Sequence, residues 1–99
     1  MSKKKILHLP VKKIYFEQVR DGIKKEEFRE QTAYWAKRLE DREYDEVHLK
    51  LGYPKADDTD KILVLKWNGF TKKTITHEHF GNKPLDVYAI DVSERVICQ

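Results

Sequence analysis

The chain has 99 residues, 39% hydrophobic and 11% aromatic. That is enough for one domain around a modest core and too apolar for a disordered chain. The formal charge of +3 is mildly basic: compatible with a polyanion partner but not diagnostic of one. No apolar run approaches the ~20 residues of a membrane span. The single cysteine, Cys98, cannot form an internal disulfide, and the basic start MSKKK lacks the apolar core of a signal peptide. These features predict a cytoplasmic protein in a reducing compartment, with no membrane partner and no cofactor, and favour a monomer.

In chain order, Lys3, Lys4 and Lys5 carry much of the excess charge, and residues 1–5 read as a flexible basic segment. The folded domain is expected over 6–93, with 94–99 as a C-terminal tail. ILHLPV (6–11) suits a terminal or edge strand ending near Pro10. In KKIYFEQVRDG, Tyr15, Phe16, Val19 and Ile23 fall at helical spacing, and Gly22 can supply a left-handed stop. KKEEFRE then alternates with period two, as a strand does. In TAYWAKRLE (32–40), Thr32 can cap a helix that places Trp35 and Leu39 on one face.

The second half reads as mostly strand. DEVHLKLG (45–52) alternates Val47, Leu49 and Leu51, and PKADDTD (54–60) is a polar loop. KILVLKWNGF and TKKTITHEHF are expected to pair as a hairpin across Asn68-Gly69. GNKPL is a further turn, and DVYAIDV a final strand. About six strands and two helices at such short spacing predict an α+β fold, a small curved sheet or barrel with the helices packed outside.

DGIKKEEFRE (21–30) concentrates ionisable residues around one glycine and one phenylalanine. On a strand, Glu27 and Arg29 share a face and Phe28 takes the other. With Phe28 in the core, Glu27 and Arg29 would face outward or into a cleft. Lys24, in the preceding turn, could reach the same space. Two cations and an anion around one small volume can bind a polar ligand through charge-assisted hydrogen bonds, with Arg29 offering a planar fork. The same pattern also describes an ordinary surface ion-pair network.

Gly22, Lys24, Glu27 and Arg29 match the G-x-K-x-x-E-x-R signature of the ASCH (activating-signal-cointegrator homology) domain family. The chain resembles the short stand-alone members from bacteria and phages. LHLPVKKIYFEQVRDG, YW-x-KRL, YDEVHL-x-LGYP and TITHEHFG…PLDVYAIDV extend the resemblance over residues 6–92. It implies a PUA-like β-barrel of about six strands with two or three flanking helices. It also implies a cleft containing the motif residues, and a ligand of RNA, nucleotide or nucleoside type. Some branches of the family hydrolyse acetylated cytidine, and nuclease activity has been attributed to others. The hydrolase branch has a threonine where this chain has Glu27, and a carboxylate is no substitute for a hydroxyl nucleophile.

The expected ligand-binding set is Gly22, Lys24, Glu27, Arg29, Tyr34, Trp35, Tyr53, His77 and His79, with Lys24 and Glu27 as the catalytic pair if the protein is an enzyme. Aromatics among basic side chains are what single-stranded RNA binding uses, by stacking and phosphate contact. Lys12, Lys13, Lys37, Arg38, Lys72 and Lys73 could touch phosphates or simply solubilise, while Trp67 and Phe16 read as core. His77 and His79 share a strand face, but a metal would need a third ligand such as His8 or Glu78, and no standard zinc spacing is present. No metal is expected. The leading expectation is an RNA- or nucleotide-binding module. The alternatives are a hydrolase of modified nucleosides or an RNA-cleaving enzyme, and a protein-interaction module without a ligand.

Overall fold

A computed structural model describes residues 3–55, 57–76 and 81–96. His77, His79 and Cys98, all singled out above, lie outside the described residues. The chain is α+β, with six strands and two helices among those residues: β1 (Ile6–Val11), α1 (Lys13–Arg20), β2 (Glu26–Glu30), α2 (Ala33–Leu39), β3 (Glu46–Leu51), β4 (Ile62–Lys66), β5 (Phe70–Thr76) and β6 (Pro84–Asp91). A single 3-10 turn, Thr59–Lys61, leads into β4. No helix among the described residues is long and apolar enough to cross a membrane.

The strands form two three-stranded sheets, ordered β1-β3-β4 and β2-β6-β5. In the first, β1 and β3 are parallel, with Leu7 opposite Val47 and Leu9 opposite Leu49, and β4 runs antiparallel to β3. Period-two alternation turns Leu7, Leu9, Val11, Val47, Leu49, Leu63 and Leu65 onto one face. There they meet Phe16 and Val19 of α1, Leu39 of α2 and Tyr88, Ile90 and Val92 from the β6 segment. Pro10 is tolerated in β1 because that strand is an edge. The Val11 carbonyl accepts from Gly52 N–H at 3.0 Å, on the β3 side. Pro10, one residue earlier, therefore turns its nitrogen and carbonyl away from β3, where no ladder needs a donor.

The helices begin and end where local chemistry requires. Thr32 caps α2, accepting from Trp35 N–H at 3.3 Å. Helix α1 closes on a Schellman pair: Gly22 N–H bonds to Val19 O at 3.1 Å and Ile23 N–H to Gln18 O at 2.9 Å, with Gly22 at φ 76°. The helix thus stops before Ile23, which is 74% exposed and not part of the buried helical face expected for it.

The expected hairpin across Asn68-Gly69 does not form. β4 pairs with β3, β5 pairs with β6, and Asn68-Gly69 carries the chain from one sheet to the other. The type I′ hairpin turn that Asn-Gly favours needs two left-handed residues in succession. Gly69 is left-handed, but Asn68 is not, and its side chain instead donates to Glu94 Oε1 at 3.2 Å. The left-handed pair occurs at Gly81 and Asn82, ahead of β6. Burial also separates the two strands: β4 contributes Leu63 and Leu65 to the core, whereas β5 is exposed along most of its length.

Bonds at both seams stitch the sheets together. After β6 the chain crosses to the free edge of β4, where Lys66 N–H bonds to Glu94 O at 2.8 Å and Val96 N–H to Val64 O at 3.0 Å. Residues 94–96, expected in a tail, are therefore bonded into the fold. So is Lys5, which exchanges main-chain and side-chain bonds with Asp45. At the opposite seam, Arg29 of β2 donates to the Pro10 carbonyl of β1 at 2.9 Å. No ladder closes the two sheets into a barrel among the described residues.

Helix α2 is anchored at its C-terminal end by Tyr88, whose hydroxyl donates to Glu40 at 2.6 Å. That bond, together with burial, pushes the Tyr88 hydroxyl up to about 12. It also lowers Glu40, with help from Lys72. A phenol whose folded pKa is raised contributes stability that is complete below the ordinary tyrosine range and lost as pH climbs to about 12. The lowered carboxylate works in the opposite direction, its contribution being lost as acid titrates it. In an ultraviolet absorbance titration, one of the five tyrosines should ionise near pH 12, and Tyr88→Phe should remove that step.

Candidate functional site

The Schellman stop at Gly22 determines where the next residues go. It reverses the chain so that Lys24 N–H also reaches Gln18 O at 3.0 Å, placing Lys24 at the mouth of β2 beside α1. Strand β2 then pairs with β6, setting Glu27 opposite Ile90 and Arg29 opposite Tyr88. Ile90 and Tyr88 point into the core, so Glu27 and Arg29 face inward with them.

This reverses the expected orientation of the strand. Glu27 is 3% exposed, while Phe28 is only half-buried on the other face. An alternating strand normally turns its apolar residue inward, but β2 lies at the seam with β1, where its inner face meets main-chain carbonyls and two cations as well as aliphatic carbon. Lys24 Nζ lies 3.4 Å from Glu27 Oε1, and Arg29 Nη1 lies 2.7 Å from Glu27 Oε2. Each carboxylate oxygen thus faces its own cation, which offsets the desolvation of a buried charge.

Arg29 is committed further. Nη1 also donates to Phe28 O at 3.1 Å and Nη2 to Pro10 O at 2.9 Å. Its guanidinium carbon lies 5.2 Å from the centre of the Trp35 ring, within cation–π range. The planar fork expected to hold a ligand is therefore used mainly to hold the protein. Lys24 is differently placed. Its ammonium sits 5.1 Å from the Tyr15 ring centre and 4.8 Å from that of Phe28. Its one ion pair among the described residues is long for a charge-assisted bond. Its side chain keeps 17% of its surface open to solvent, and an ammonium has three donors.

The aromatic residues divide. Trp35 packs partly on the core and against Arg29. Tyr34, 56% exposed, meets Trp35 edge-on at 5.2 Å and carries the Arg38 guanidinium 3.6 Å from its ring centre. Tyr53 is 92% exposed and follows Gly52, whose N–H is bonded to Val11 next to the Pro10 carbonyl that holds Arg29. Phe16 is buried in the core and Trp67 packs against it, as expected. Lys72 and Lys73 are paired to Glu40 and Glu26.

The structure thus brings Lys24, Glu27, Arg29 and Trp35 together, with Gly22 setting the approach. Tyr15, Phe28 and the Pro10 carbonyl were missed. Tyr15 reads from its spacing as plain helix core, Phe28 reads from strand alternation as the inward residue, and a main-chain carbonyl leaves no side-chain signal. A separate groove of about 500 Å³ is lined by Lys3, Lys4, Asp45, Glu46, Lys66, Trp67, Asn68 and Val96. It lies at the start of β1 and β3, whereas Arg29 joins β1 at its far end. Comparison with family models, with curated proteins and with solved structures finds no match for this chain.

Because Glu27 neutralises two partly covered cations, Glu27→Gln should destabilise the fold by about 3 kcal/mol, the order found when one partner of a buried ion pair is removed. Urea denaturation at neutral pH measures it. A loss under about 0.5 kcal/mol, typical of a surface substitution, would show that the pair is as weak as a solvent-exposed bridge.

Proposed function

We propose that the protein is a small RNA- or nucleotide-binding module of the ASCH type, built on a PUA-like barrel. The G-x-K-x-x-E-x-R motif supports this reading, as do two sheets joined at both seams. The observation that carries it is the placement of Lys24: a cation held between Glu27, Tyr15 and Phe28, partly open to solvent and with donors to spare among the described residues. In this reading Lys24 contacts a phosphate or a base carbonyl. Glu27 is the counter-ion that positions Lys24 and Arg29. Arg29 shapes the site by holding β2 to β1 and lying against Trp35, and exposed Tyr34 and Tyr53 offer faces on which bases stack.

The arrangement favours binding over hydrolysis. A general base needs a carboxylate that can reach the substrate's proton. Both oxygens of Glu27 face cations, and its side chain is 4% exposed.

An amide chemical-shift titration with nucleosides and short single-stranded RNAs tests the reading. Shifts should centre on residues 22–29 and 34–35. Lys24→Ala should weaken binding by about tenfold to a hundredfold, the value of one charge-assisted contact. The salt slope should be shallow, about −0.7 per phosphate contacted. Deleting Lys3 and neutralising Lys4 and Lys5 should matter little. Binding that survives Lys24→Ala but disappears with those N-terminal lysines would overturn the assignment.

Purified protein should also leave N4-acetylcytidine intact over a time in which a competent hydrolase would consume it. Turnover abolished by Lys24→Ala would instead assign a lysine-dependent activity to the site.

A further inference from the structure

Strand β5 forms the outer edge of its sheet, and its hydrogen-bond parity can be read directly. Gly69 O accepts from Asp91 N–H at 3.2 Å, and Phe70 lies opposite Ile90. In an antiparallel pair, bonded and non-bonded positions alternate. The odd-numbered residues of β5 therefore exchange bonds with β6. The main-chain groups of Phe70, Lys72, Thr74 and Thr76 point away from the sheet, and among the described residues nothing bonds to them.

Such an edge is a template for another strand, and proteins usually guard it with lysine. Here the two lysines of β5 are neutralised on their own molecule: Lys73 pairs with Glu26 at 2.7 Å and Lys72 with Glu40 at 3.2 Å. The strand is exposed along Thr71–Thr74 and contains no proline.

We propose that β5 pairs with β5 of a second copy of this chain, antiparallel, about a two-fold axis at Lys73. A two-fold axis normal to the sheet keeps each residue on its own face, so paired residues must share parity. Centred on Lys73, the operation sets Lys72 opposite the second copy's Thr74 and Phe70 opposite its Thr76. These are the residues whose main-chain groups point outward, so the bonding parity is met. The side chains agree as well. Thr71 meets Ile75 on one face. On the other, Lys72, held by its own Glu40 at 3.2 Å, comes opposite the second copy's Thr74, whose hydroxyl is bonded to Asp86 at 2.6 Å. The two-fold axis repeats that uncharged pairing on its other side, with no unpaired charge placed against another. The two Lys73 side chains meet at the axis, and the Glu26 carboxylate 2.7 Å from each offsets the repulsion of like charges placed opposite. One strand edge buries less than a standard interface of about 1,600 Å², so the dimer is weak, with dissociation roughly in the high micromolar range.

Sedimentation velocity on the full chain up to roughly 1 mM should show a monomer–dimer equilibrium. Thr74→Pro removes an outward N–H without removing a β5–β6 bond, and should weaken association by at least about tenfold. Thr74→Val, which keeps that N–H, should still associate. In the unmodified protein, amide exchange at Lys72 and Thr74 should slow as concentration rises, while Thr71 and Lys73, already bonded to β6, should not change. A protein that stays monomeric at the highest concentration overturns the proposal, as does undiminished association in a folded Thr74→Pro variant. If that variant does not fold, the amide pattern decides: slowing confined to other segments, or equal at odd and even residues of β5, is the contrary result.

Discussion

The carboxylate of Glu27 is the contact on which the rest of this structure depends. It sits almost fully buried where two sheets meet, with a cation at each oxygen. A lone charge in that position would be too costly to keep. The two cations therefore follow from it, and their other contacts follow from them. Arg29, turned inward by Glu27, reaches across to the Pro10 carbonyl and joins β2 to β1. Lys24, drawn to the other oxygen, is held against Tyr15 and Phe28, connecting the first helix to the strand that follows it.

This arrangement separates two duties that a motif alone runs together. A lysine and an arginine beside a glutamate suggest two equivalent ligand-binding cations. The geometry makes them unequal. Arg29 spends its donors on Glu27, Phe28 and Pro10 and its face on Trp35, as suits a rigid planar group in a confined space. Lys24, on a flexible stem with compact charge, is partly open to solvent and pairs only with Glu27 among the described residues. The structural cation and the available cation are thus chemically suited to their places.

The remainder of the fold keeps that seam in place. The opposite seam is bridged by main-chain bonds from residues 94–96 to β4. Helix α2, which brings Trp35 to Arg29, is capped at one end by Thr32 and held at the other by the bond from Tyr88 to Glu40. Tyr88 stands opposite Arg29 in the β2–β6 ladder. The same strand pairing therefore positions both the guanidinium and the phenol that fastens the helix beside it.

Local chemistry was legible in the residues themselves. The alternation of Val47, Leu49 and Leu51 identified a strand. Gly22 identified the helix stop, and Thr32 the cap. Each is decided within a few residues by backbone conformation, period and donor count. The G-x-K-x-x-E-x-R spacing likewise brought out Lys24, Glu27 and Arg29 as one group, because neighbours on a strand and its entry turn cannot be far apart. Pairing partners and facing were not legible. Asn68-Gly69 carries a hairpin signal, yet β4 finds β3 because Leu63 and Leu65 must join Val47 and Leu49 in the core, a condition set by residues far away in the chain. Phe28 looks like the inward residue of β2, yet Glu27 takes that place. Which face of a strand is interior depends on what the neighbouring sheet presents, here the Pro10 carbonyl and the rings of α1 and α2. Only the packing of the two sheets decides that Glu27, with its two neighbouring cations, takes the buried place at that seam and Phe28 the half-buried one.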